Sequence, residues 1–368
     1  MNRLIYILLL SLGFSLSGNA QSHRWPSYRG NPALTGNATV EIKDNPELLW
    51  SFQTDDVIKS SPVICGENIY VGTNGGSLYS ISSEGKENWK FSTETSIEAP
   101  PLLIDQTVFV GSLEGIMFAL DAQNGKEKWR YITEGQISGS ANVVPNLKES
   151  KNIIFGSYDY NLHCVNAQTG KLQWKYETDN YINGTPATNG EVAVFGGCDG
   201  FLHLVDVVDG KIADTVDIGT YMASSAALDG DKAYFGNYDG VFFKVNIALK
   251  KIVWKKEGAG PFLGSPAIAD NKVVIGSQDK KVYCYDEATG EIVWEFTTLR
   301  KIESSPVIVG QQVLITSMDG RIYLLDLESG QKRWSYEIGA PISSTPTVMD
   351  NLIVVCAEDG RVYAFGKR

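Results

Sequence analysis

Apolar and polar residues alternate along this chain in short runs, broken every few residues by Gly, Asp or Asn, and the series of runs repeats. In the copy spanning residues 264–294, an apolar stretch after Ser265-Pro266 gives way to a turn. A β-branched run then ends in Gly276-Ser277, an Asp-containing turn follows, and an alternating run leads through Thr289-Gly290 to a segment carrying Trp294. The next copy, 304–334, aligns with it without a gap, its third run reading Arg321-Ile322-Tyr323-Leu324-Leu325. Period-two alternation bounded by turn residues is the pattern of short β-strands, so each copy predicts four antiparallel strands joined by tight turns.

Two columns count the copies. Trp50, Trp89, Trp129, Trp174, Trp254, Trp294 and Trp334 are spaced 39, 40, 45, 80, 40 and 40 residues apart, and Val216 fills the gap left by the 80. The turn between the second and third strands begins at Gly72, Gly111, Gly156, Gly196, Gly236, Gly276, Thr316 and Cys356, which makes eight. A period near 40 built of strands predicts a propeller. The last copy stops at Val362-Tyr363-Ala364-Phe365 without a Trp strand, while Glu47-Leu48-Leu49-Trp50-Ser51-Phe52 stands alone before any complete unit. The expected fold is therefore all-β: an eight-bladed β-propeller of four-stranded antiparallel sheets, closed by the N-terminal strand completing the last blade. Closure hides edges that an open stack would expose.

The segments outside the ring differ in character. Residues 1–20 combine Arg3, an apolar stretch and Gly18-Asn19-Ala20, the pattern of a cleaved secretory signal too short for a membrane span. Residues 21–45, with Trp25-Pro26-Ser27-Tyr28-Arg29-Gly30, read as an ordered extension across one face, and 46–368 as the propeller. The first Cys is Cys65, so no lipid-modified N-terminus is expected. The reading is an exported protein, periplasmic or secreted, with no transmembrane segment after cleavage. The net charge of −11 becomes −12 once Arg3 is removed, which argues against nucleic acid as a partner. The five cysteines, Cys65, Cys164, Cys198, Cys284 and Cys356, fall in different blades and predict buried free thiols.

Each third strand carries one residue of an aromatic column: Tyr79, Phe118, His163, His203, Phe243, Tyr283, Tyr323 and Tyr363. These side chains are expected to fill the wedge between blades, the two histidines included. The Trp rings are expected to dock on the adjoining blade and donate their indole N–H to a carbonyl.

The runs Asp121-Ala-Gln-Asn-Gly-Lys-Glu-Lys-Trp129, Ala288-Thr-Gly-Glu-Ile-Val-Trp294 and Asp326-Leu-Glu-Ser-Gly-Gln-Lys-Arg-Trp334 resemble the tryptophan-docking repeat of the quinoprotein (pyrroloquinoline-quinone-like) propellers. The resemblance covers residues 47–368. Blades four and five depart from it, with Val216 for Trp and Ile247-Ala248-Leu249-Lys250 for the Thr-Gly turn. Two functions follow from the resemblance. One is a non-catalytic scaffold that binds another protein of the cell envelope, as in outer-membrane protein assembly. The alternative is a small quinone-dependent oxidoreductase or ligand-binding relative. The family's dehydrogenases hold quinone and calcium over the channel, but the vicinal Cys pair of many of them is absent here, as are Gly-x-Ser-x-Gly, His-Glu-x-x-His, Cys-x-x-Cys and a phosphate loop. No catalytic, cofactor-binding or metal-binding residues are assigned, and no cofactor is expected.

Glu114, Asp159, Asp199, Asp239, Asp279, Asp319 and Asp359 share one turn position, so closure places seven carboxylates in a collar on one face. Asp suits such turns, and a collar also attracts cations or basic surfaces. The links between blades reach the same face, where Tyr181, Tyr221 and Phe262 are the aromatic candidates for a contact patch and Arg300 with Lys301 the basic ones.

Overall fold

The computed structural model of the chain describes residues 24–145 and 151–367, so the signal segment expected at 1–20 lies outside the described residues. Every regular element there is a strand, and no helix is long and apolar enough to cross a membrane. Eight antiparallel meanders form where the repeat places them. Blade 6 is typical: Ala267–Ala269 is the short inner strand, Lys272–Gly276 and Lys281–Asp286 are buried on both faces between neighbouring blades, and Ile292–Thr297 forms the outer edge. Blade 8 joins Thr347–Met349, Leu352–Ala357 and Arg361–Gly366 to the N-terminal strand Glu47–Gln53, with Trp50 opposite Ala364. Closure is as the sequence predicts.

The docking tryptophans explain the turn glycines. Trp89, Trp174, Trp254 and Trp294 donate Nε1–H to the carbonyls of Ala122, Val207, Glu287 and Leu327 in the next blade, at 2.9–3.2 Å. Each ring lies against the glycine of that turn, which also needs its positive φ. A Cβ on Gly330 would sit 2.5 Å from the Trp294 ring. Only glycine admits both the conformation and the approach.

The register corrects one reading. Trp174 pairs with Cys164, Trp254 with Lys244 and Trp294 with Cys284, and the equivalent of these positions in blade 4 is Asp214, opposite Leu204. Val216 does not fill the Trp gap. It is buried two residues further on, at the position where Tyr131, Tyr176 and Phe296 touch the aromatic column of the next blade. Across the seam, the position of the turn glycine belongs to Lys250, held at φ 58, and its ammonium lies 3.1 Å from the Asp214 carboxylate. Both departures are thus one exchange: an ion pair replaces the indole on its glycine.

The next seam buries charge. Lys244 is 5 % exposed and meets the Glu287 carboxylate at 2.7 Å, with Lys232 at 3.1 Å and the Tyr234 hydroxyl also donating to it. Burial alone would raise the Glu287 carboxyl, but these donors pull it down to about 2 from an ordinary 4.5. A carboxyl depressed in the fold contributes its full stability above the unfolded value and loses it as pH falls toward the folded one. Glu287→Gln should therefore cost ~3–5 kcal/mol at neutral pH by leaving Lys244 buried without a counter-charge. The difference from the parent chain should shrink between about pH 4.5 and 2, measured by denaturant titration across pH. A difference independent of pH would refute this account of the seam.

The five cysteines are free. Burial pushes the Cys164 and Cys284 thiols up to about 12, as suits inert core residues, whereas Cys65 and Cys198 are only half-buried, short of full burial.

The extension does more than lie across a face. Arg24–Trp25 adds antiparallel to the inner strand Val63–Cys65 of blade 1, and Asn37–Ala38 adds parallel to Val307–Val309 of blade 7. Between and beyond them, Leu103, Thr188, Leu228, Ile268, Ile308 and Asn351 donate backbone N–H to the carbonyls of Pro26, Pro32, Ala33, Thr35, Gly36 and Glu41, at 2.7–3.0 Å. The Asn142 side chain of blade 3 also donates to Pro32 O at 2.8 Å. All eight blades are stitched to this segment, which plugs the channel at the end opposite the inter-blade links.

Candidate functional site

In a four-stranded meander, the turn after strand two and the link to the next blade share one end, so these segments build the face opposite the plug. On the axis, seven hydroxyls occupy equivalent places, Ser61, Ser140, Thr185, Ser225, Ser265, Ser305 and Thr345, with Pro100 as the eighth residue. Six successive blade junctions are closed by a backbone N–H donated to the next blade's hydroxyl, from Ser140 to Thr185 through to Thr345 to Ser61, at 2.8–3.1 Å. Pro100 has neither hydroxyl nor N–H, which breaks the ring at blade 2.

This ring surrounds a funnel of about 180 Å³ that includes Lys59, Asn183, Ala223 and Glu303 in its wall. Its floor is the plug. The Tyr28 hydroxyl lies 3.0 Å from Ser305 Oγ and 3.4 Å from Ser265 Oγ. Below it Arg29, fully buried, donates to the carbonyls of Pro306 and Pro266 at 2.5 and 2.6 Å. Burial lowers the guanidinium to about 10, still charged at neutral pH.

The carboxylate collar is built into the blades. Asp159, Asp199, Asp279, Asp319 and Asp359 each accept the backbone N–H two residues on, at 2.9–3.2 Å, closing the turn. Their second oxygen meets the polar tip of the aromatic column four residues on: His163 Nε2 at 3.0 Å, His203 Nε2 at 2.7 Å, and the hydroxyls of Tyr283, Tyr323 and Tyr363 at 2.5–2.7 Å. The two remaining collar residues, Glu114 and Asp239, precede Phe118 and Phe243, which have no such tip. Burial opposes ionisation of Asp159, but His163 more than compensates and brings its carboxyl down to about 2. The histidines do not pair with each other: Nδ1 of His163 meets Tyr131 Oη at 3.1 Å, and Nδ1 of His203 meets Tyr176 Oη at 3.2 Å.

Four of the five contact candidates lie at the surface. Tyr181 is 40 % exposed and stacks on Tyr158, ring centroids 4.7 Å apart, while Tyr221 stacks on Tyr238 at 4.4 Å. Arg300 is exposed, and Lys301 is exposed but paired with Glu303 at 2.6 Å. Phe262 is the exception. It is fully buried against Phe242 and Tyr283, beneath Gly236, and offers no surface. Its repeat position holds Ile97, Ile137, Ile182, Met222, Ile302 and Ile342 elsewhere, an apolar column that marks it as core. The stacking partners Tyr158 and Tyr238 were missed because they sit within the turns rather than the links.

The fold recurs in solved structures. The crystal structure of BamB from Moraxella catarrhalis superposes with a TM-score of 0.75 at 18 % identity, over 88 % of this chain and 98 % of that one. A europium-containing methanol dehydrogenase gives 0.82 at 12 % identity, over 95 % and 99 %. The quinohemoprotein alcohol dehydrogenase from Comamonas testosteroni gives 0.81 at 14 %, over 96 % and 82 %. No curated protein matches the sequence. At such identities the likeness is one of fold, whereas the sequence itself matches a family in overlapping segments, 36–197, 145–240, 198–341 and 278–368. With the eight blades, the docking tryptophans and that match over most of its length, the chain belongs to the family described as outer membrane protein assembly factor BamB.

Proposed function

We propose that the chain is a non-catalytic scaffold of the bacterial cell envelope that binds another protein through the face bearing the inter-blade links. The observation that carries this reading is the contrast between two ends of one rigid ring. One end is spent on the plug, while the other displays exposed Tyr181, Arg300 and Lys301 on short links and Tyr238 on a turn. Variable side chains on a rigid frame suit protein recognition, with aromatic and Arg anchors dominating the energy. Family membership supports outer-membrane protein assembly as the setting, and export to the periplasm goes with it.

The alternative, a quinone-dependent oxidoreductase, finds little support in the funnel. Among the described residues no three His, Cys, Asp or Glu side chains converge. Glu98 is held by Lys59 and Asn74, and Glu303 by Lys301 and Gln278. The docking tryptophans turn toward the opposite end, Trp25 is buried in the extension, and about 180 Å³ is small beside the ~300 Å³ at which cofactor sites begin. The residues present do not fit a quinone with its cation, and we assign none.

Capture of envelope proteins with the purified chain tests the proposal. The expected result is recovery of a β-barrel assembly component, reduced at least ~10-fold by Arg300→Glu with Tyr181→Ala. Recovery that ignores both substitutions, or an absorption band of bound quinone after incubation with quinone and calcium, would displace it.

A further inference from the structure

The axial hydroxyls have a property their structural role leaves unused. Ser61, Thr185, Ser225 and Thr345 each accept a backbone N–H, yet among the described residues none of their own O–H groups has an acceptor. All are at least nine-tenths buried, and all line the funnel. Asn183, in the same wall, has a buried Oδ1 with no donor among the described residues. The cavity therefore presents several donors and at least one acceptor with nothing yet bonded to them.

A second, separate observation lies on the rim. Tyr181 stacks on Tyr158 and makes a tilted contact with Tyr160, and Tyr221 stacks on Tyr238. One side of the mouth thus carries two aromatic groups, with Tyr160, Tyr181 and Tyr238 each about 40 % exposed. Cys198 donates its backbone N–H to the Tyr181 carbonyl at 2.9 Å, and its Sγ meets the side-chain amide of Asn183, in the funnel wall, at 3.2 Å, which ties this surface to the mouth.

The ligand class follows from what the site can satisfy. Both cations at the mouth are offset, Lys59 by Glu98 at 3.7 Å and Lys301 by Glu303 at 2.6 Å, in a chain of net charge −11, so an anion is not favoured. A wall of hydroxyls rejects an apolar ligand, which would leave the donors unpaired. The volume of about 180 Å³ holds roughly six waters, about the space of one sugar ring. Hydroxyl groups along one ligand edge and C–H faces that stack on tyrosine describe a carbohydrate. We propose that the funnel, together with the tyrosine side of its mouth, binds the end of an uncharged saccharide chain, the terminal ring among the axial hydroxyls and the following ring on the tyrosines. This does not rest on protein docking at the links; Tyr181 belongs to both surfaces, so Ala223→Phe, which alters the funnel alone, is the variant that separates the two.

Saturation-transfer NMR and calorimetry on the whole chain, with maltotriose, cellotriose and triacetylchitotriose, test it, with sodium phosphate as the anionic control. Binding of at least one trisaccharide is expected, with saturation strongest on its terminal ring. Ala223→Phe fills the funnel without removing a hydrogen bond and should abolish binding, while Tyr181→Ala should weaken it roughly 3- to 10-fold. An unchanged melting temperature in both variants shows that the fold is intact. Absence of binding by all three sugars at about 10 mM, stronger binding of phosphate, or saccharide binding that survives Ala223→Phe would overturn the assignment.

Discussion

A chain lacking residues 24–42 is expected to lose its cooperative thermal transition near physiological temperature. The extension accepts backbone N–H groups from inner strands around the ring, and its removal takes those hydrogen bonds away. Trp25, Leu34, Ala38 and Ile42 are buried by it, and Ser27 and Arg29 with them. At ~1 kcal/mol net for each backbone hydrogen bond and ~2–3 kcal/mol for each large apolar side chain, the loss is on the order of 10 kcal/mol, as large as the net stability of an ordinary domain. Calorimetry measures it directly. A narrower substitution, Arg29→Ala, strands the carbonyls of Pro266 and Pro306 and opens a cavity, and should cost ~2–5 kcal/mol. If the deleted chain melts within about 5 °C of the parent, the plug is a passenger and the ring closes by blade 8 alone.

The second large effect is a coupling. In the seam between blades 4 and 5, Asp214→Trp alone should not stabilise, because the indole would meet the side chain of Lys250 where other seams have glycine. Lys250→Gly alone trades an exposed ion pair for relief of a positive φ, and should change stability by less than about 1 kcal/mol. Together they rebuild the seat: the ring lies on the new glycine, and its N–H reaches toward the Ile247 carbonyl, 33 residues on, the spacing seen for Trp174 and Val207. The double variant should exceed the parent by ~2–3 kcal/mol, with a coupling energy of at least ~2 kcal/mol in a double-mutant cycle. Additivity of the two changes would show that the exchange is coincidental.

The same residues show where sequence reasoning reached and where it stopped. Asp214 lies 40 residues after Trp174 and 40 before Trp254, so the period alone pointed to it. Val216, 42 after Trp174 and 38 before Trp254, fills the gap in the linear pattern, since nothing there says that an acid and a lysine 36 residues apart replace an indole and a glycine. Phe262 failed for a different reason. In the linear pattern it is one link residue among others, although the positions 40 before and after it are Met222 and Ile302. The collar was legible as a column, but its pairing with tyrosine and histidine tips depends on the turn folding each Asp back over its own strand.

What the sequence determined by itself was the repeat: eight units, four strands in each, the docking column, and the borrowed strand that completes the last blade. These are local or strictly periodic features, and period-two alternation with fixed turn residues writes them directly into the chain. Only the tertiary structure decided which carbonyls of residues 24–42 meet which blades, how seven hydroxyls close on one axis, and which tyrosines share a surface. The extension has no repeat because successive stretches of it meet different blades. Axial contacts arise from the curvature of the ring, which brings together residues 40 or more apart, and rim contacts from links that meet a turn of the neighbouring blade; in both, the chemistry of a residue carries no mark of the neighbour it will find.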